Sequence, residues 1–264
     1  QTQINSLFNQ AGDLYLQGNK IEAEEKLQKL IGQSPDFALA YKLLGDLKFD
    51  ARLFKAAIAN YEQALELGLG AAAFYNLYND IGISYMRLEE YAQAVKYLKQ
   101  ALELEPDNLG ILYNLACVLR DNGDYPEATA RYQELIEQRF DFPNVHNDLG
   151  DIYQLSGQEQ LAQEQYSIEL ANAQLADNPE TLENLNRLAL AYNGLGQYAQ
   201  AKEIIGRAIE SSLDDGEALY TRARILENLG DNQGAIKDLQ KAKQFFSGTK
   251  FIDNYIIRLS PGAD

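Results

Sequence analysis

Two series of small residues repeat along this chain with nearly the same step, and that step limits what it can fold into. Gly12, Gly45, Gly82, Ala116, Gly150, Ala189 and Ala223 are spaced by 33, 37, 34, 34, 39 and 34 residues. An alanine follows each one, at Ala23, Ala57, Ala94, Ala128, Ala162, Ala201 and Ala235, always 12 residues later except 11 in the first unit. Large residues keep the register: Phe8, Tyr41, Tyr78, Leu112, His146, Leu185 and Leu219 stand four before the first series, and Leu27, Tyr61, Leu98, Tyr132, Tyr166, Ile205 and Leu239 four after the second. Offsets of four are helical, and a period of about 34 residues is that of a helical hairpin. Small side chains let two antiparallel helices approach to about 8–10 Å, so Gly150 and Ala162 are expected to meet where the helices of the fifth unit cross. One hairpin cannot bury its apolar face alone, so seven of them must stack.

Between the two helices of most units stands a turn glycine, at Gly18, Gly123, Gly157, Gly196 and Gly230, with Arg52 and Glu89 in its place in units two and three. Glycine there ends a helix in the left-handed conformation at little cost. Pro35 and Pro106 close two units; Leu69, Phe140, Leu213 and Ser247 stand at that place in others. This large–small–aromatic–alanine–proline pattern resembles the tetratricopeptide repeat family, most plainly in residues 113–132 and 188–205. The resemblance implies an all-α fold, a right-handed α-solenoid of stacked antiparallel helix hairpins (the TPR superhelix). We expect one solenoid domain over 1–264, with repeats at about 4–37, 38–71, 75–108, 109–142, 143–176, 182–215 and 216–248. A capping helix over 249–259 is expected from the apolar face of Phe251, Ile252, Tyr255, Ile256 and Leu259. Three residues depart from the pattern: Lys48 at an aromatic position, Arg222 at an aliphatic one and Glu169 at a small one. Irregularity is expected near Glu169 and in the last unit. Three extra residues fall near 68–73 and five near 171–181; the second stretch reads as a lengthened second helix with a surface loop, with a bend or hinge as its alternative.

The chain has 23 Lys and Arg against 39 Asp and Glu, a formal charge of −16, which disfavours nucleic acid and anionic membrane surfaces and favours a partner with a basic segment. No apolar run reaches the roughly 18 residues of a membrane-spanning helix, so no direct membrane insertion is expected. The single histidine, His146, falls at a large packing position; the single cysteine, Cys117, has no neighbouring ligand or base in the sequence. Phosphate-cradling glycine motifs are absent, and the Asp121–Asp124 and Asp214–Glu217 fragments fit hairpin turns better than calcium loops. We therefore expect no enzyme activity, no metal and no cofactor. A lone cysteine fits the cytoplasm. A periplasmic or lumenal place is the alternative, since position 1 is Gln and a targeting segment could have been removed. The many Gln and Tyr residues on short hairpins point to a bacterial origin.

The resemblance places the binding surface on the concave face, lined by the first helices. Exposed positions there are expected three and two residues before the first small residue and one after it. These positions give the candidate peptide-binding groove Asn79, Asp80, Tyr113, Asn114, Asn147, Asp148, Asp151, Asn186 and Arg187. Asparagine carries both a donor and an acceptor and suits a peptide main chain. No Lys or Arg occurs from Phe140 through Asn186, while nine acids do, and Asp148 and Asp151 are expected exposed one turn apart. An acidic concave surface draws cations. The function that follows is a scaffold holding a protein or peptide segment in the groove, in multiprotein assembly. The alternatives are a self-assembling homo-oligomer docking through its aromatic C-terminal end, and the regulatory arm of a larger enzyme.

Overall fold

Helical periodicity in the sequence is realised as helices wherever it occurs. The computed structural model describes residues 2–69, 71–139, 142–212, 215–246 and 249–260; Asp141, Asp214 and the unit-closing positions Phe140, Leu213 and Ser247 lie outside them. Among the described residues there are fifteen helices and no strand. The backbone divides into two compact units, residues 1–124 and 125–264. The first holds α1 (Thr2–Leu16), α2 (Lys20–Gln33), α3 (Ala38–Asp50), α4 (Phe54–Leu67), α5 (Ala71–Arg87), α6 (Tyr91–Leu104) and α7 (Leu109–Asp121). The second holds α8 (Tyr125–Gln138), α9 (Val145–Leu155), α10 (Glu159–Gln174), α11 (Leu182–Gly194), α12 (Tyr198–Ser211), α13 (Gly216–Asn228), α14 (Asn232–Ala242) and α15 (Lys250–Leu259). Within each unit, consecutive helices pack as antiparallel hairpins that stack on the next.

Every first helix ends by the same device. A residue with positive φ follows it, and the next amide reaches back to the last full turn, as in Asn19 N to Leu14 O at 2.8 Å, Leu53 N to Lys48 O at 2.8 Å and Gln158 N to Tyr153 O at 2.8 Å. Arg52 and Glu89 take the glycine's backbone, at φ 60° and 59°, so the turn persists without its residue.

The small positions fit large side chains from the second helix. A Cβ added at Gly150 would stand 2.5 Å from Tyr166 Cε1, and one at Gly194 2.5 Å from Tyr166 Cδ2. The Tyr166 ring therefore lies in a slot between α9 of its own hairpin and α11 of the next. Gly82 receives Leu98, 2.7 Å from where a Cβ would be, and Gly45 receives the Tyr61 ring. What fills the space at Gly150 is thus Tyr166 and not Ala162 as expected. The first unit corrects the register by one residue: a Cβ at Gly12 would meet nothing, whereas Ala11 is fully buried. Ala11 restores the offset of 12 to Ala23, and both small-residue series then step identically.

The departures from the pattern are absorbed locally. Glu169 causes no break: α10 runs on to Gln174, with Glu169 fully buried and paired to Arg187 Nε at 2.6 Å. Arg222 makes a two-pronged pair with Asp238, both bonds 2.6 Å. Lys48 is paired with Glu24. The insertion after α10 is a loop and not a break, tied down by Asn184 Nδ2 donating to Ala173 O at 3.0 Å and Pro179 O at 3.1 Å. Helix α15 places Ile252 and Leu259 on Ala223, Leu226, Ala235 and Leu239 and covers the end of the second unit. His146 is 2% exposed, with Nδ1 donating to Gln165 Oε1 at 2.8 Å. No helix among the described residues is long and apolar enough to cross a membrane.

The register makes a paired prediction. Gly150→Ala should destabilise the protein by about 1–3 kcal/mol, because the methyl overlaps a ring already held on both faces. Gly12→Ala should be neutral or stabilising by up to about 1 kcal/mol, because its methyl meets only solvent and alanine favours helix. Urea unfolding of the two variants checks both signs.

Candidate functional site

First helices of neighbouring repeats touch, α1 with α3 and α5 with α7 in one unit, α9 with α11 and α11 with α13 in the other, while no second helix among the described residues comes as close to the next second helix. The first helices therefore line the inner face of each stack, and the nine candidate groove residues all stand on them.

In the first unit these residues join into one polar seam across α3, α5 and α7. Asn114 Nδ2 donates to Asn79 Oδ1 at 3.0 Å, and Asn79 in turn bonds the Asp80 carboxylate. On α3, Lys42 Nζ meets Asp46 Oδ2 at 2.7 Å while the Tyr61 hydroxyl donates to Asp46 Oδ1 at 3.0 Å. Burial raises the Asp80 carboxyl to about 6; the Lys42 charge lowers it, and the like charge of Asp46 raises it further. Tyr113, which precedes Asn114 on α7, is half-buried. Asp80 is thus a carboxylate whose one nearby cation is already engaged by a second carboxylate.

The second unit treats the same positions differently. Asn147, Asp148 and Arg187 are 3%, 9% and 8% exposed, so the expectation that Asp148 is open to solvent fails. Helix α9 begins only at Val145, after a left-handed Asn144, and this puts Asp148 in its first turn, where free amides favour an acid. Asn147 Nδ2 donates to Arg187 O at 3.2 Å, leaving its Oδ1 buried without a partner, as is Asn186 Oδ1. Asp151 accepts the Tyr166 hydroxyl at 2.7 Å and holds Arg224 Nη2 at 3.0 Å through both oxygens. The acidic run from 140 to 186 is therefore met by arginines from outside it: Arg187 on Glu169, Arg224 on Asp151 and Arg207 on Glu180.

Sequence reasoning missed these pairs although a signal existed. Only units two and five carry Asp after the small residue together with Tyr four after the alanine, and in both the tyrosine donates to the aspartate. Cross-repeat partners lie one residue beyond the period: Tyr15 with Asp50, Glu62 with Tyr97, Asn79 with Asn114 and Asn193 with Asn228 are each 35 apart.

Two family models described as tetratricopeptide repeat match residues 85–152 and 186–248. The chain also superposes on the crystal structure of a tetratricopeptide repeat protein from Parabacteroides merdae with a TM-score of 0.74, covering 98% of this chain and 99% of that one at 16% identity. The chain is a tetratricopeptide repeat protein. Its fold is the all-α solenoid of stacked hairpins, and proteins of this family generally mediate protein–protein interaction and complex assembly without catalysing a reaction. Among curated relatives, the protein FlbA of Caulobacter vibrioides is 26% identical over 155 residues, covering 58% of this chain and 25% of FlbA. The BBSome complex member BBS4 of Bos taurus is 24% identical over 224 residues, covering 84% of this chain and 41% of BBS4. The chain thus spans less than half the length of either relative.

The Asp80 environment gives a pH prediction. Its folded carboxyl titrates above that of the unfolded chain, so the folded state holds the proton longer. The benefit is full below about pH 4 and is lost as pH rises towards 6. Asp80→Asn should stabilise the protein at pH 7 by about 1 kcal/mol, allowing for partial solvent screening, and the gain should vanish near pH 4. Denaturant midpoints at the two pH values measure it.

Proposed function

We propose that this tetratricopeptide repeat protein is a non-enzymatic scaffold that holds an extended basic segment of a partner protein along the inner face of its first helices. Asp80 carries this reading. A carboxylate kept in a desolvated place, beside a second carboxylate and with its cation shared, is unfavourable alone and favourable once another cation arrives. Asn79 and Asn114 flank it with amide groups suited to main chain. Asp148 and Asp151 support the reading less, being buried in the one case and already paired in the other. The charge of −16 adds long-range attraction for the same partner. BBS4 is described as a member of a complex, which agrees with a role in assembly. A second reading, self-association through α15, draws on its exposed Phe251 and Ile257.

The test is a titration of the intact chain with a fluorescent peptide of alternating Arg and Ser, and with its Glu/Ser counterpart. The basic peptide should bind, more weakly as salt rises. Asp80→Asn should cost about five- to tenfold in affinity even though it stabilises the fold. Equal binding of the two peptides, or an unchanged affinity in Asp80→Asn, contradicts the proposal.

A further inference from the structure

The outer faces of the second helices break their pattern in one repeat. Leu161 stands one before Ala162 and Ile168 six after it. At the same two places the other six repeats carry polar or small residues, such as Gln93 and Gln100, Glu127 and Glu134, or Gln200 and Arg207. A step of seven residues is close to two helical turns, so Leu161, Ile168 and Leu175 run in one line along α10 to its C-terminal end. Leu161 is 40% and Leu175 83% exposed, with Ile168 half-buried between them. The inward side of the same helix is already filled by the buried Ala162, Tyr166 and Ala173. Helix α10 is therefore apolar on two sides, and this chain covers one of them. The rim of the open side is acidic. Glu164 lies one turn on from Leu161 and Asp177 two residues past Leu175, both exposed and neither in a hydrogen bond or ion pair among the described residues. An apolar stripe with a charged rim is the anatomy of a docking surface.

The C-terminal end of the same unit has the opposite charge. From Asn232 to Ser260 five Lys and Arg stand against two acids, in a chain whose formal charge is −16. On α15, Lys250, Asn254 and Ile257 follow helical spacing on the outward side, with Phe251 beside them. Phe251 and Ile257 are 38% and 61% exposed, and Lys250 is exposed with no ion pair among the described residues. The helix that presents them is anchored: Asp253 pairs with Lys243, while Glu227 accepts the Tyr255 hydroxyl and holds Arg258. Helix α15 packs on α13 and α14 at the end of the stack, and α10 packs on α9 and α11 two repeats earlier. The acidic stripe and the basic end thus belong to different parts of one chain and complement each other in charge and in apolar character.

We propose that the outer face of α10 docks the α15 end of a second copy of this chain, so that copies join head to tail. Leu161, Ile168 and Leu175 meet Phe251 and Ile257 at the centre of the contact, and the cations of the α15 end face the acids of the α10 rim. This gives self-association through α15 a counter-surface. It makes no use of the inner face, so its failure would leave the basic-segment reading as it stands. A contact between unlike surfaces is heterologous: a pair of copies still has one α10 face and one α15 face open, and assembly passes beyond the dimer to a ring or an open chain.

Sedimentation velocity of the intact chain, from about 1 μM to a few hundred μM, tests this. The mean mass should rise past that of a dimer and rise less as salt is added. Two double variants each remove one surface: Leu161→Ser with Glu164→Lys, and Lys250→Glu with Ile257→Ser. All four side chains are exposed, so melting temperatures should stay near the native value. Each variant alone should associate about tenfold or more weakly than the native chain. Mixed in equal amounts, each still has one intact surface, so they should form a one-to-one pair and stop there. If the first variant melts early, Leu175→Ser with Asp177→Lys, at the other end of the stripe, takes its place. A native chain that stays monomeric over the whole range, or variants that assemble as the native chain does, would overturn the proposal. Loss of assembly in the α15 variant alone would also overturn it, because α15 would then be pairing with itself, and so would a mixture that forms no pair. The affinity for the Arg/Ser peptide and its dependence on Asp80 should be the same in every variant.

Discussion

The close approach of paired helices at a small residue is the constraint on which the rest of this structure depends. At Gly150 there is no room for a methyl, because the Tyr166 ring fills that space and Gly194 closes the other side. One ring thereby joins a hairpin internally and joins it to the next, so hairpin formation and stacking are the same contact. The polar face inherits this rigidity: the Tyr166 hydroxyl emerges at Asp151, and the Tyr61 hydroxyl emerges at Asp46 in the same way from the slot at Gly45. Packing on the apolar side thus decides where fixed carboxylates stand on the inner face.

Charged residues at packing positions do not loosen the array, since each arrives with a partner. Glu169 is sealed from solvent against Arg187, Arg222 is gripped by Asp238, and Lys48 by Glu24. A buried charge left alone costs several kcal/mol, so these pairs are maintained together or not at all. Glu169 still leaves Oε2 without a bond, and Asn147 and Asn184 each leave an Oδ1 so, which marks the junction of α9, α10 and α11 as the least satisfied part of the described structure.

Much of the fold was legible because a repeated register is self-checking. The coincident small-residue series placed the helices and the turns; of the apolar face read separately for α15, Ile252 and Leu259 are buried, Tyr255 and Ile256 half-buried and Phe251 exposed. The one slip in register, Gly12 for Ala11, arose because both are small and adjacent; the 11-residue offset was its only sign. The site was less legible, for a physical reason. A frame position says which way a side chain starts but not what reaches it from the next repeat, so Asp148 and Asp151 read as open acids. Arg224 stands 73 residues from Asp151, and α9 starts at Val145 after a left-handed Asn144 that no periodicity announces. Asp80, expected exposed, is half-buried, and its environment is set by burial together with Lys42 and Asp46 on the preceding first helix.

The proposed function turns on Asp80, whose carboxyl is raised by burial while the Lys42 charge that lowers it is shared with Asp46. The most direct measurement is a carbon-detected NMR titration of the Asp80 side chain, free and with the Arg/Ser peptide bound. The account predicts a midpoint of about 6 in the free protein, falling towards the ordinary carboxylate range once the peptide's cation is beside it. An ordinary midpoint in the free protein, or one that the bound peptide leaves where it was, would contradict it.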